Sequence, residues 1–241
     1  DFSEVYHSVF ALILAGGKGE RLRPLTDTLP KPMVSVCGKP ILEHQVTWLK
    51  AGGVTDVVFL AGYRWEAIKD HFGDGNDFGI NAHYSVEDSP LGRGGAIKAG
   101  FPMVPGTENI VAVLNGDVIT AETLANLSGQ HQERKAANKS HLATIMVVPM
   151  VSPYGLVEMD NSGTVTGFLE KVEMDHWING GIYLFERSIA DELPDLGDHE
   201  TETFPRLAAA GQLLAVQSRA FWRSVDSFKD LKEAEDNAGS W

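Results

Sequence analysis

A single cysteine in 241 residues leaves no partner for an internal disulfide. A reducing compartment is expected, with Cys37 as a buried small hydrophobe. Cations are also scarce: 20 Lys and Arg stand against 33 Asp and Glu, a net charge of −13. Such a surface repels nucleic acid and anionic membranes, so neither is expected as a partner. No apolar run approaches the roughly 20 residues of a membrane span. The opening Asp1-Phe-Ser-Glu-Val-Tyr-His lacks the basic stretch and apolar core of a signal peptide, and a cytoplasmic location is expected. The eight histidines show no ligand spacing and read as structural or surface residues. Repeats, low-complexity tracts and linkers are all missing. What remains is 43% hydrophobic and 22% charged, enough for a sizeable core in one domain over residues 1–241.

Along the chain, short apolar runs alternate with helical spacing. Residues 9–15 read as a buried strand. Leu42, Val46 and Leu49 fall at helical spacing and are stopped by Gly52-Gly53. Val57-Val58-Phe59-Leu60-Ala61 is a second buried strand, and Trp65, Ile68 and Phe72 form a second helical stripe. Trp48 and Trp65 read as core. Residues 80–86 alternate as a strand, a glycine-rich helical stretch covers 92–101, and 110–114 is again a strand. This pattern predicts an α/β fold, Rossmann-like, with a mixed, mainly parallel sheet flanked by helices. The second half reads differently. Strands are expected at 142–148, 178–185 and 213–220. A hairpin is expected across Asp160-Asn-Ser-Gly163. Ser227 caps a last helix over 227–238, with Phe228, Leu231 and Ala234 as its buried stripe. Residues 9–120 thus form one half of the domain and 140–226 a second subregion over one end of the sheet.

Ligands of parallel sheets sit at the carboxyl ends of strands. There stands Leu14-Ala-Gly-Gly-Lys-Gly-Glu-Arg-Leu-Arg-Pro-Leu-Thr26, followed by Pro30-Lys31-Pro32. Gly16, Gly17 and Gly19 allow close backbone approach, and their N–H groups can cradle phosphate oxygens. Lys18, Arg21, Arg23 and Lys31 ring that cradle, against only Glu20 and Asp27. The third glycine of a dinucleotide fingerprint is missing, and no Gly-Lys-Ser/Thr follows at P-loop spacing. Neither NAD binding nor a P-loop NTPase is supported. Asn115-Gly116-Asp117 follows the strand at 110–114 and is expected to meet the glycine loop.

The pattern Leu14-Ala-Gly-Gly-x-Gly-x-Arg-Leu-x-Pro-Leu-Thr-x-x-x-Pro-Lys-Pro closely resembles the signature of sugar-1-phosphate nucleotidyltransferases, the NDP-sugar pyrophosphorylases. The likeness continues through Pro90-Leu-Gly-Arg-Gly-Gly-Ala96, Leu114-Asn-Gly-Asp117, Tyr154-Gly155, Phe168-Leu-Glu-Lys171, Asn179-Gly-Gly181 and Val225-Asp226. The resemblance implies the family's nucleotide-diphospho-sugar transferase fold, with the sugar bound in the second half. It also implies transfer of a nucleotidyl group from an NTP to a sugar 1-phosphate, with Mg²⁺ as cofactor and pyrophosphate as product. By the same match, Arg21 and Lys31 are catalytic. Leu14, Ala15, Gly16, Gly17, Gly19, Glu87 and Gly92 bind the nucleotide. Gly155, Glu170, Lys171 and Asn179 bind the sugar phosphate, and Asp117 and Asp226 hold the metal. Many members carry proline after the Glu-Lys pair, where this chain has Val172. Many also assemble, which leaves a homo-oligomer open. Because the sequence ends just after its last helix, the β-helix appended in some bifunctional members is not expected.

Glu87 falls where thymidylyl-specific members often carry glutamine. A carboxylate only accepts hydrogen bonds at neutral pH, and guanine offers adjacent N–H and NH₂ donors. GTP is therefore favoured, and the look of residues 87–98 and 179–183 is nearest to heptose- and mannose-1-phosphate guanylyltransferases. Ala220-Phe-Trp-Arg-Ser-Val-Asp226 is also similar to glucose-1-phosphate cytidylyltransferases. Thymidylyl, uridylyl or cytidylyl transfer to a hexose 1-phosphate is the alternative. A catalytically silent module would be expected to lose Arg21, Lys31, Asp117 or Asp226, and all four are present. A related glycosyltransferase would carry Asp-x-Asp in place of Asn115-Gly-Asp117.

Overall fold

The computed structural model describes residues 10–241. Val9, expected in the first strand, and the opening Asp1–His7 stretch lie outside the described residues. Seven strands form the central sheet. From one edge to the other they are Leu213–Gln217, Ala143–Val151, Glu173–Glu186, Ile110–Asn115, Phe10–Leu14, Asp56–Ala61 and Asn81–Val86. Only Glu173–Glu186 runs against its two neighbours; every other pairing is parallel. The sheet is mixed and mainly parallel, as the alternation of runs implies.

Strands buried on both faces explain the continuous apolar runs. Ala11, Leu12 and Ile13 are all fully buried, but successive side chains enter different cores. Ala11 and Ile13 pack with Val57, Phe59, Leu42 and Ile68 beneath the helices Ile41–Ala51 and Trp65–Phe72. Leu12 packs with Val58, Leu60, Ile97 and Phe185 on the opposite face, under the helix Gly92–Gly100. Trp48 and Trp65 are partly buried against the first core.

The second half adds a hairpin, Leu156–Met159 with Val165–Leu169. The Asp160 carboxylate accepts from the N–H groups of Ser162 and Thr164, which closes its turn. The strand expected at 178–185 begins earlier, because Glu173 and Trp177 pair with Val151 and Pro149. Ser227 Oγ accepts from Asp230 N at 3.3 Å and caps the helix Phe228–Asp236.

Two expectations are corrected. Phe228 is 49% exposed, so the last helix buries Ala234 and half-buries Leu231 without it. Cys37 is exposed, in the left-handed turn between two short strands. Its small side chain tolerates the positive φ there, and the local turn decides its place rather than its hydrophobicity. A further helix, Leu124–Ala137, has no counterpart in the sequence reading. Its sequence is mostly polar, and its buried face includes Ser128 and His131; His131 hydrogen-bonds Thr144 and Glu186.

Candidate active site

The parallel strands ending at Leu14 and Asn115 deliver the glycine loop and Asn115-Gly-Asp117 to the same sheet end. Gly116 N donates to Leu14 O at 2.9 Å. A Cβ on Gly116 would sit 2.3 Å from that oxygen, so only glycine allows the approach. Lys31 N donates to Gly17 O at 3.0 Å, and the Thr26 hydroxyl donates to Gly19 O at 2.7 Å. The glycine loop is thereby folded back on itself, with Lys31 beside it.

A cavity of about 310 Å³ opens at this point. Its lining includes Leu14, Gly16, Gly17, Lys31, Glu87, Gly92 and Asp117 from the sequence reading. Ala15 is buried just behind, its N–H held by Leu60 O at 2.8 Å.

Asp226 reaches the site from outside the central sheet. It does not follow a strand of the central sheet. It follows the short strand Trp222–Ser224, which pairs with Val118–Thr120 immediately after Asp117. Val225 N donates to Asp117 O at 2.8 Å and draws the two aspartates together. Lys31 stands between them. Its Nζ donates to Asp226 Oδ1 at 2.5 Å and to Asp117 Oδ2. Arg21 donates to the same Asp226 oxygen at 2.8 Å. Burial opposes the charge on Lys31, but Asp117 and then Asp226 outweigh it and hold the ammonium above its ordinary range. Burial likewise opposes ionisation of Asp226, and its bond to Lys31 overrides this, so the carboxyl lies below the usual range.

Asp117 Oδ1 is buried and has no hydrogen-bond partner. Among the described residues no cluster of three or more His, Cys, Asp or Glu could hold a metal ion alone. The donor set is two carboxylates, one with an unsatisfied oxygen. That fits a hard cation whose other ligands are phosphate oxygens and water, as Mg²⁺ prefers.

Glu87 lies along one wall. Its Oε2 accepts from Leu91 N at 2.9 Å, while Oε1 faces Gly16 and Gly62. Gly92 follows in left-handed backbone, φ +76°, and a Cβ there would strike Gly197 O at 2.3 Å. That oxygen is held close by Gly94 N, which donates to it at 3.0 Å.

The sugar-side residues are more dispersed. A Cβ on Gly155 would meet Glu170 Oε1 at 3.0 Å, so these two are neighbours on the hairpin. Lys171 is exposed with φ +53°, and neither Glu170 nor Lys171 forms an ion pair among the described residues. Asn179 lies on the long antiparallel strand, with Oδ1 accepting from Gly181 N at 2.8 Å. None of these four lines the cavity of the glycine loop.

Arg93 does line it, and the sequence reading gave it no role. A cation inside a glycine run was the available signal. Its partners, Asp198 and Glu200, lie more than a hundred residues away and carry no local mark.

The nucleotidyl transferase family model matches residues 10–240, and the chain belongs to that family. It is similar to a mannose-1-phosphate guanylyltransferase of Mycobacterium tuberculosis, 35% identical over 235 residues, 93% of this chain and 63% of that one. A probable mannose-1-phosphate guanylyltransferase of Oryza sativa subsp. japonica is 40% identical over 230 residues, 91% of this chain and 62% of that one. The chain thus spans less than two thirds of the length of these curated relatives. Among solved structures, HddC from Yersinia pseudotuberculosis superposes with a TM-score of 0.72 at 25% identity, covering 95% of this chain and 99% of that one. A putative glucose-1-phosphate thymidylyltransferase from Bacillus anthracis shares the fold, with a TM-score of 0.75 at 22% identity and 95% of each chain covered. No helix among the described residues is long and apolar enough to cross a membrane.

Proposed function

We propose that the chain transfers a nucleotidyl group from an NTP to a sugar 1-phosphate, with GTP and mannose or heptose 1-phosphate as the favoured pair. The observation that carries this reading is Lys31 held between Asp117 and Asp226 beside the glycine loop. The guanylyl preference draws on the mannose-1-phosphate guanylyltransferases among its relatives and on the carboxylate of Glu87 at the cavity wall.

A phosphate oxygen of the sugar 1-phosphate attacks the α-phosphorus. A P–O bond forms, the α–β P–O bond breaks, and pyrophosphate carries away the electron pair. The N–H groups of Gly16, Gly17 and Gly19, with Leu14 and Ala15 behind them, seat the triphosphate. Arg21 neutralises charge developing on the leaving pyrophosphate, and its planar fork suits that task. Lys31 turns from its carboxylates to the α-phosphate and aligns the attack. Asp117 and Asp226 would hold Mg²⁺, which would offset phosphate charge when bound. Glu87 Oε1 and the Gly92 backbone face the base. Glu170 and Lys171 receive the sugar and its phosphate, Gly155 lets the sugar approach, and Asn179 meets a sugar hydroxyl. An NTP-dependent reaction of this kind suits a cytoplasmic location.

The test is pyrophosphate release with Mg²⁺ from a panel of GTP, dTTP, UTP and CTP against mannose, heptose and glucose 1-phosphates. GTP with mannose or heptose 1-phosphate is expected to give the highest kcat/KM. Faster turnover with dTTP, UTP or CTP would move the specificity to the alternative branch. Silence across the panel would end the reading.

A further inference from the structure

Arg93 takes no part in the chemistry above, yet its head group is tied down twice. Nε donates to Asp198 Oδ2 at 2.7 Å and Nη1 donates to Glu200 Oε1. Glu200 Oε1 also accepts from the Tyr183 hydroxyl at 3.1 Å, and that hydroxyl accepts from Asn179 Nδ2 at 2.9 Å. An unbroken hydrogen-bonded line therefore runs from the first turn of the helix Gly92–Gly100 to the strand that carries Asn179.

The line has a sense. A guanidinium only donates and a carboxylate only accepts. The single phenolic proton of Tyr183 is committed to Glu200, so its oxygen must be the acceptor towards Asn179. The amide is thus forced to present Nδ2 to Tyr183, and the Gly181 N–H on Oδ1 demands the same orientation. One amide N–H and one oxygen lone pair are left for a ligand. Tyr183 is fully buried, so the phenol is shielded from water that could substitute for either bond. Burial and then Glu200 push its pKa up, which keeps the proton in place. Burial opposes the charge on Arg93, but Asp198 and Glu200 outweigh it.

We propose that Arg93 is a positioning residue for sugar-phosphate binding: through Glu200 and Tyr183 it fixes the Asn179 amide and links the helix Gly92–Gly100 to the sugar side. This rests on the function proposed above, in which Asn179 meets the sugar. A lysine could keep the charge but not the two-pronged geometry that spans Asp198 and Glu200.

The experiment compares wild type with Tyr183→Phe, Arg93→Lys, Arg93→Gln and the double variant Arg93→Gln/Tyr183→Phe. It uses the nucleotide and sugar phosphate that give wild-type turnover, GTP with mannose 1-phosphate first. Tyr183→Phe keeps the buried ring and removes only the hydroxyl, so it carries the test even if Arg93→Gln fails to fold. Each single variant is expected to raise the KM for the sugar phosphate roughly five- to tenfold, the scale of one lost hydrogen bond, with the KM for the nucleotide within about twofold. Arg93→Lys should fall between wild type and Arg93→Gln. The double variant should be no worse than the poorer single one, since both cut the same line. The inference is overturned if an active wild type is matched by a Tyr183→Phe enzyme with unchanged sugar-phosphate KM. Equal rises in both KM values, or multiplied effects in the double variant, would overturn it too. A wild type that releases no pyrophosphate with any pair would instead remove the function on which it rests.

Discussion

Lys31 Nζ lies 2.5 Å from Asp226 Oδ1, although the two residues are 195 positions apart in the chain. The same amine also binds Asp117, so the two carboxylates share one cation. If those carboxylates also hold Mg²⁺, the lysine and the metal draw on the same oxygens. Lys31→Met should lower kcat by about 100-fold or more, the range seen for loss of one charge-stabilising group. Millimolar Mg²⁺ should raise the melting temperature of this variant more than that of wild type, as read by calorimetry. An equal rise in both would contradict the shared use of the carboxylates.

Arg21 bonds to Asp226 too, but its side chain is 72% exposed. Surface pairs of this kind contribute little to stability. Arg21→Ala is therefore expected to change unfolding free energy by no more than about 0.5 kcal/mol while reducing turnover roughly 100-fold. Chemical denaturation and pyrophosphate release on the same preparation separate the two effects.

Glu87 already accepts from Leu91 N with one oxygen, and the other, Oε1, is the atom proposed to read the base. Glu87→Gln can keep the first bond and places an NH₂ donor at the second position. The ratio of kcat/KM for GTP over dTTP should drop by roughly tenfold, the cost of about one mispaired hydrogen bond. Competition assays with both nucleotides present read this ratio directly.

His199 is fully buried and packs edge-on against Tyr183 and Phe204, with neither ring nitrogen hydrogen-bonded. Burial, then the nearby Arg93 charge, lowers its pKa from 6.5 to about 4. The unfolded chain therefore binds the proton first as pH falls. Stability from this residue is full above about pH 6.5 and is lost progressively down to about pH 4, a change of roughly 3 kcal/mol. His199→Leu should flatten that part of the profile, and urea unfolding at pH 7 and pH 4.5 would measure the difference.

Much of the fold was legible in the chain because local physics sets it. Val57, Val58 and Phe59 are continuously apolar because both faces of their strand are covered. The Asp160 turn and the Ser227 cap are decided by bonds within a few residues. The helix Leu124–Ala137 escaped because its sequence is mostly polar, and His131 on its buried face is satisfied by Thr144 and Glu186, partners that lie elsewhere in the sequence. Cys37 was misplaced because hydrophobicity cannot anticipate a left-handed turn.

The sequence by itself determined the glycine loop, the order of the strands of the central sheet and of most helices, and the candidate residues of the site. These depend on backbone freedom, side-chain periodicity and residue type. Only the tertiary structure decided that Asp226 comes to Asp117 through a small antiparallel pair outside the main sheet, and that Lys31 bridges them. It alone joined Arg93 to Asn179 by way of Glu200 and Tyr183. Charges and hydrogen bonds act across a few ångströms, and folding, not chain order, brings those groups within that range.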